Sequence, residues 1–179
     1  MAKIAVINCG SKKKDQACPA REMYEDGSLF RKIRDYVEQT YDKYYILSGK
    51  YGLLEPDEVI EPYEDVVFFV QKIFRDRAKK EGRVLKPVSK EDQTKWGEEV
   101  ANKINWGQFD EVNFHINIYY WDPLKKHFIH NPEKFIHHKF ERRLGPNLKK
   151  LNEKLNDNSN KGFACGPNRL SRILNQINK

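Results

Sequence analysis

Two apolar runs in this chain end abruptly in small residues and lysine. Lys3-Ile4-Ala5-Val6-Ile7 leads into Asn8-Cys9-Gly10-Ser11-Lys12-Lys13-Lys14, and Tyr44-Tyr45-Ile46-Leu47 leads into Ser48-Gly49-Lys50-Tyr51-Gly52. Between them Ser28 is placed to cap a helix on which Leu29, Ile33 and Val37 recur at four-residue spacing, with Phe30 and Tyr36 widening the stripe. A crossover of this length between two buried strands favours parallel pairing. Parallel strands of an α/β sheet put their carboxyl ends at one edge, and ligands bind in the crevice outside that edge. The two Ser/Gly/Lys loops are therefore expected side by side, as an anion or nucleotide site.

Further along, the segment from Leu53 to Tyr63 holds Pro56 and Pro62, which argues against helix or central strand and for an ordered loop over the site. Val66, Val70, Ile73 and Phe74 then share a helical stripe that ends near Gly82, with Lys79 and Lys80 in the last turn. Lys86-Pro87-Val88 reads as a connector. Ser89 and Asp92 have the spacing of a capping box, opening a helix with Trp96, Val100 and Ile104 inward. Alternation at Val112, Phe114, Ile116 and Ile118 predicts a third, half-buried strand, ending in an aromatic loop, Tyr120-Trp121-Asp122-Pro123, at the same edge. Beyond it Ile136, Phe140 and Leu144, then Leu148, Leu151 and Leu155, read as helical, and a last helix starts at Gly166-Pro167 after the turn-forming stretch 156–162. A fourth strand is sought at 127–130 or 162–165.

A length of 179 residues points to one domain spanning 1–179. The longest apolar stretch, Val66 to Val70, is too short to span a bilayer, and the N-terminus enters a strand with no signal-peptide core, so no membrane role and a cytoplasmic location are expected. Cys9, Cys18 and Cys165 cannot all pair and lack CxxC spacing, so they read as reduced thiols. Residues 122–179, the basic and helical C-terminal part, carry 13 Lys/Arg against 5 Asp/Glu, which accounts for the whole net charge of +7. Such a segment is the electrostatic footprint of a nucleic-acid binder, and equally the composition of a solvated lysine-rich surface.

Chemistry concentrates in the two loops. Gly10 and Ser11 offer backbone N–H groups, and Ser11, Lys12, Lys13 and Lys14 add a hydroxyl and ammonium groups suited to phosphate; a solvated turn is the plainer alternative. The P-loop pattern G-x-x-x-x-G-K-S/T is absent. Ser48, Lys50, Tyr51 and Gly52 could hold an anion while the Tyr51 ring stacks on a base or sugar. Glu61 and Glu64 flank Tyr63 and are the preferred carboxylates for stabilising an oxocarbenium-like state or positioning water, although acidic residues ahead of a helix also serve its dipole. Cys9 beside lysines raises the question of a nucleophile, with a structural thiol as the preferred reading. His127, His130, His137 and His138 match no zinc signature, so neither a metal nor another cofactor is expected.

Cys9-Gly10-Ser11-Lys12-Lys13, Pro19-Ala20 with Met23-Tyr24, Ser28-Leu29-Phe30, the run from Leu47 to Leu54, Pro56 and Pro62-Tyr63-Glu64 together resemble a bacterial and phage family known mainly as a domain of unknown function. Its members typically show C-x-S-K-K, then S-A-K-H/Y-G-L-L and P-Y-D/E. The resemblance implies an α/β fold of the uracil-DNA-glycosylase-like group, three-layer α/β/α with a short, mainly parallel central sheet. It also implies base excision or base modification on nucleic acid, including removal of modified bases in anti-phage defence. The chain lacks the G-Q-D-P-Y-H and H-P-S-P segments of true uracil-DNA glycosylases; Asn8 stands where the first would begin, and His115 lies on the later strand. The resulting expectation is a DNA glycosylase or related base-processing enzyme, acting on DNA rather than RNA. In it Glu61, Glu64 and Asn8 are catalytic, and Cys9, Ser11, Lys12, Lys13, Ser48, Lys50, Tyr51, Gly52, Tyr63 and Tyr120 bind substrate. A non-catalytic nucleic-acid or nucleotide-binding module and a tRNA base-modifying enzyme are the alternatives.

Overall fold

Strand β1 (Lys3–Asn8) buries four consecutive residues, Ile4 to Ile7, as a strand covered on both faces must. It is the middle strand of a five-stranded sheet. The computed structural model describes residues 2–68, 72–138 and 153. After β1 come β2 (Cys18–Pro19), α1 (Ala20–Met23), α2 (Ser28–Thr40), β3 (Lys43–Ser48), β4 (Gly52–Leu54), β5 (Val59–Ile60), β6 (Asp65–Val67), α3 (Lys72–Lys80) and β7 (Leu85–Pro87). Then follow α4 (Lys90–Asn102), β8 (Glu111–His115), α5 (Ile118–Phe128) and β9 (Phe135–His137).

The main sheet has the order β4-β3-β1-β8-β9. β3 and β8 both run parallel to β1, β9 runs parallel to β8, and β4 alone is antiparallel, folding back beside β3. This is a mixed α/β fold on a mostly parallel sheet. The register pairs Asn8 with Leu47 and Ile7 with His115, so β1, β3 and β8 finish at one edge, as the βαβ spacing predicts.

Alternation within each strand divides the core in two. Ile4, Val6, Tyr45, Leu47, Val112 and Phe114 pack with Trp96 and Val100 of α4 and Leu124 and Phe128 of α5. Ala5, Ile7, Tyr44 and Ile46 pack with Met23 of α1 and Phe30, Ile33, Tyr36 and Val37 of α2. Ser89 caps α4 as its spacing to Asp92 predicts, with Oγ accepting the Asp92 N–H (3.0 Å), while the Asp92 carboxylate answers through the Ser89 hydroxyl, which donates to Oδ2 (2.7 Å). Gln93, also on α4, reaches across with its amide to the carbonyls of Phe68 (3.0 Å) and Val88 (2.9 Å), tying the β6–β7 pair to the main body. No helix among the described residues is long and apolar enough to cross a membrane.

Several elements differ from their sequence reading. The third strand stops at His115, and it is buried on both faces rather than half-buried. Asn117 Oδ1 accepts the N–H groups of Tyr119 (3.0 Å) and Tyr120 (3.1 Å), so the expected aromatic loop is the first turns of α5, with Pro123 inside the helix. Leu53 and Leu54 belong to the edge strand β4, and Ile60 pairs with Cys18; the segment expected as a loop is partly strand because Pro56 lies between these pairings and Pro62 beyond them. Val66 sits in β6, paired with Lys86 of β7, so the Lys86-Pro87-Val88 connector is partly strand, and the helix begins only at Lys72. Gly27, not Ser28, is the N-cap of α2. Ile136 is in β9, not a helix, and β4 and β9 are the strands of the main sheet that sequence reading missed. The helices expected around Phe140 to Leu155 and from Gly166, the loop at 156–162 and the possible strand at 162–165 lie outside the described residues, Glu153 excepted.

Candidate functional site

The carboxyl ends of β1 and β3 meet, with the Cys9 N–H donating to the Leu47 carbonyl (3.0 Å) one residue past the strand. Beside this junction lies a chain of hydroxyls. Ser48, fully buried, accepts at Oγ the backbone N–H groups of Lys50 and Tyr51, each at 3.2 Å, and lies 2.9 Å from Tyr63 Oη. Tyr63 Oη is in turn 2.8 Å from Tyr24 Oη. Trp96 closes the back of the group, its indole N–H donating to the Ser48 carbonyl (3.0 Å). Burial pushes both phenols far above the ordinary tyrosine range, with Cys9 adding to the effect, so both are neutral hydroxyls.

Two ammonium groups approach the Tyr63 ring. Lys13 Nζ lies 4.7 Å from its centroid and Lys50 Nζ 5.4 Å, the latter also 4.7 Å over Tyr51. Tyr51 meets Tyr63 edge-on at 5.2 Å and donates from Oη to the Glu61 carbonyl (3.2 Å), which fixes the pair of rings. Gly52 has φ +70°, a conformation that suits glycine and turns the chain from this loop into β4.

Tyr63 opens onto a cleft of about 810 Å³. Ser11, Lys12 and Lys13 form one wall, Pro62, Tyr63 and Glu64 a second, and the turn after α3, with Glu81, Gly82 and Arg83, a third; Asp26 joins them from between α1 and α2. Glu64 is ion-paired with Lys86, and Glu81 with Arg83 (2.7 Å). The volume lies in the range of small-molecule sites, and the lining mixes cations, carboxylates and an aromatic face. A family model described as a family of unknown function, DUF6884, matches residues 4–153. The chain belongs to DUF6884. No curated protein matches it.

The DUF6884 match runs through every element that builds the cleft. Of the residues expected to act there, Ser11, Lys12, Lys13, Tyr63 and Glu64 line it. Ser48, Lys50, Tyr51 and Gly52 form the loop that carries Tyr63 from behind. Glu61 is exposed, contributes its carbonyl to Tyr51, and is not among the lining residues. Asn8 Oδ1 accepts the Asn117 N–H (3.4 Å), which joins β1 to the cap of α5. Cys9 is a free, half-buried thiol with Sγ 3.6 Å from Tyr120 Oη.

Tyr120 reaches the site from α5 rather than from a loop, and its ring packs on Phe68 (4.9 Å) and Trp96 (5.4 Å), so what it presents to the strand ends is its hydroxyl. His115 is buried and 2.8 Å from Tyr41 Oη, its ring stacked on His138 at 4.3 Å; His137 stacks on Trp121 at 4.5 Å. Among the described residues no group of three or more His, Cys, Asp or Glu could hold a metal ion. Sequence reasoning missed Asp26, Glu81, Arg83 and Lys86 in DUF6884, because they come from turns and an edge strand with no local pattern of their own. Tyr24 was in view as part of the Met23-Tyr24 pair without a chemical role.

Proposed function

We propose that this DUF6884 chain is a DNA glycosylase or related base-processing enzyme that cleaves the N-glycosidic bond of a modified base, acting in the cytoplasm and in anti-phage defence. The two packed faces of the sheet support a three-layer α/β/α arrangement, and the motif resemblance supports kinship with the uracil-DNA-glycosylase-like group. The observation that carries the reading is the cleft at the meeting of the lysine loop and Pro62-Tyr63-Glu64: ammonium groups for phosphates, an aromatic face for a flipped base and a carboxylate in one concavity. Glu64 replaces Glu61 as the preferred carboxylate, since it lines the cleft. Lys86 forms an ion pair with it.

The same ion pair favours a second reading, a non-catalytic nucleic-acid or nucleotide-binding module, because a carboxylate already partnered by an ammonium is less available to chemistry. One assay separates the two: the protein is incubated with plain DNA and with DNA carrying bulky modified pyrimidines, and alkali-labile abasic sites are counted. Abasic product on modified DNA, lowered about 10²- to 10⁴-fold by Glu64→Gln, supports the enzyme. Binding without product on any substrate leaves the module.

A further inference from the structure

One wall of the cleft hangs on a pair of strands too short to stand by themselves. β6 and β7 pair over three residues each, Asp65 to Val67 against Leu85 to Pro87, and two strands alone are at best marginal in water. Because they run parallel, their amino ends lie together and so do their carboxyl ends. Both amino ends continue from the cleft: Glu64 immediately precedes β6, Glu81 to Val84 immediately precede β7, and all of these residues line it. Both carboxyl ends are held by one side chain. Gln93 of α4, only 5% exposed, donates from Nε2 to the carbonyls of Phe68 (3.0 Å), one residue past β6, and Val88 (2.9 Å), one residue past β7. Carbonyl oxygens only accept, so the amide nitrogen must face this pair and both its protons are used. Oε1, on the other side, accepts from Lys90 Nζ (3.2 Å). The Val88 N–H closes the same end by donating to the Val67 carbonyl (3.0 Å).

We infer that Gln93 is a positioning residue that sets the width of the cleft, and with it the size of the base substituent that the cleft admits. Its role in selecting a base rests on the glycosylase reading above. Three residues of strand, about 10 Å, separate the clasp from the wall it governs. Lys86, in the middle of β7, carries the spacing of the two strands to Glu64 through their ion pair. The facing wall is anchored elsewhere: the Lys14 N–H donates to the Met23 carbonyl (3.0 Å) and Lys14 Nζ pairs with Glu25 (2.9 Å), which fixes the lysine loop on α1. The distance between the two walls therefore depends on how firmly the strand pair is held to α4. Without the amide, the Phe68 and Val88 carbonyls lose their shared donor, the strand ends part, and the 81–84 turn moves away from Lys12 and Lys13.

The test is Gln93→Met, which keeps an unbranched side chain of similar length and removes both donors. Two quantities are measured: amide exchange at Val88, and the ratio of affinities for thymidine 5′-monophosphate and for 2′-deoxyuridine 5′-monophosphate bearing a hexosyloxymethyl group at C5. The expected results are Val88 exchange faster by about 5- to 150-fold, and an affinity ratio shifted toward the bulkier nucleotide by up to the same factor. Gln93→Asn, which keeps the amide but draws it back by one methylene, guards against loss of fold and shifts both quantities in the same direction. Ile33→Val, which thins the core on the other face of the sheet, lowers global stability and leaves both unchanged. An affinity ratio unchanged in both Gln93 variants, or shifted as much by Ile33→Val, overturns the inference even if Val88 exchanges faster. A wild type that binds neither nucleotide overturns it together with the cleft reading. A ratio that shifts as expected in a protein that makes no abasic site keeps Gln93 in its role and overturns the glycosylase.

Discussion

Gly97 shows how a residue far from the cleft governs it. A Cβ at this position would lie 2.6 Å from the Pro123 carbonyl oxygen and 3.0 Å from its carbon, both backbone atoms that cannot swing aside. α4 and α5 therefore touch where only glycine fits. Their approach matters because α4 carries Trp96, which holds the Ser48 carbonyl, and α5 carries Tyr120, whose hydroxyl nears Cys9. Gly97→Ala is expected to cost about 1–3 kcal/mol through overpacking. The check is the urea midpoint at constant m-value; a midpoint equal to wild type would mean that the helices slide apart without strain. The sequence carries no local signal of this role for Gly97, since its partner is a backbone carbonyl 26 positions away.

At the scale of elements, β8 is tied to β1 at its start by an ion pair, Glu111 with Lys3 (2.8 Å), and Glu111 also accepts the Asn113 amide N–H (2.8 Å). The hydrogen bond from Lys3 first, and then that from Asn113, hold the Glu111 carboxyl below its usual range. A carboxyl with a depressed folded pKa adds stability above its unfolded value of about 4.3, and that stability is lost as pH falls through the folded value. Wild-type Tm should therefore drop between about pH 5 and 3, and Glu111→Gln should drop less over the same window. Equal slopes in thermal melts would remove Glu111 from the acid response. β8 also marks the limit of what could be read without coordinates. β1, β3 and the cap of α4 were legible because their signals are local: apolar runs of four or more, and a Ser/Asp pair three apart. The end of β8 was not, because Ile116 and Ile118 continue a strand's alternation while Asn117 caps a helix, and the capping prevails. β4 and β9, three residues each, carry too little pattern to be seen. The lysine loop and Tyr63 wall of the cleft were likewise legible, whereas the wall from the turn after α3 exists only through tertiary packing.

For the whole molecule the decisive quantity is where charge lies. Residues 1–121 hold 20 Lys/Arg and 21 Asp/Glu, and residues 122–179 hold 13 and 5, so the part that forms the cleft is near neutral. The cleft itself follows that balance, with Lys12, Lys13 and Arg83 facing Asp26, Glu64 and Glu81. A site so balanced selects a ligand by geometry rather than attracting polyanions over distance. Any long-range pull on nucleic acid must come from the 122–179 segment. Each phosphate neutralised on duplex DNA adds about 0.9 to the slope of log affinity against log salt. The slope should therefore fall by about one per cation removed from that segment, as in Arg142→Ala or Arg143→Ala. Lys13→Ala should instead weaken thymidine 5′-monophosphate binding in the cleft and change the duplex slope by no more than about one. Duplex binding measured by fluorescence anisotropy from 50 to 200 mM salt, roughly the range over which such contacts show most clearly, separates the two contributions. A flat salt profile would leave the basic segment a solvated surface and place all recognition in the cleft. A steep profile unmoved by Arg142→Ala and Arg143→Ala would move the phosphate contacts to other cations.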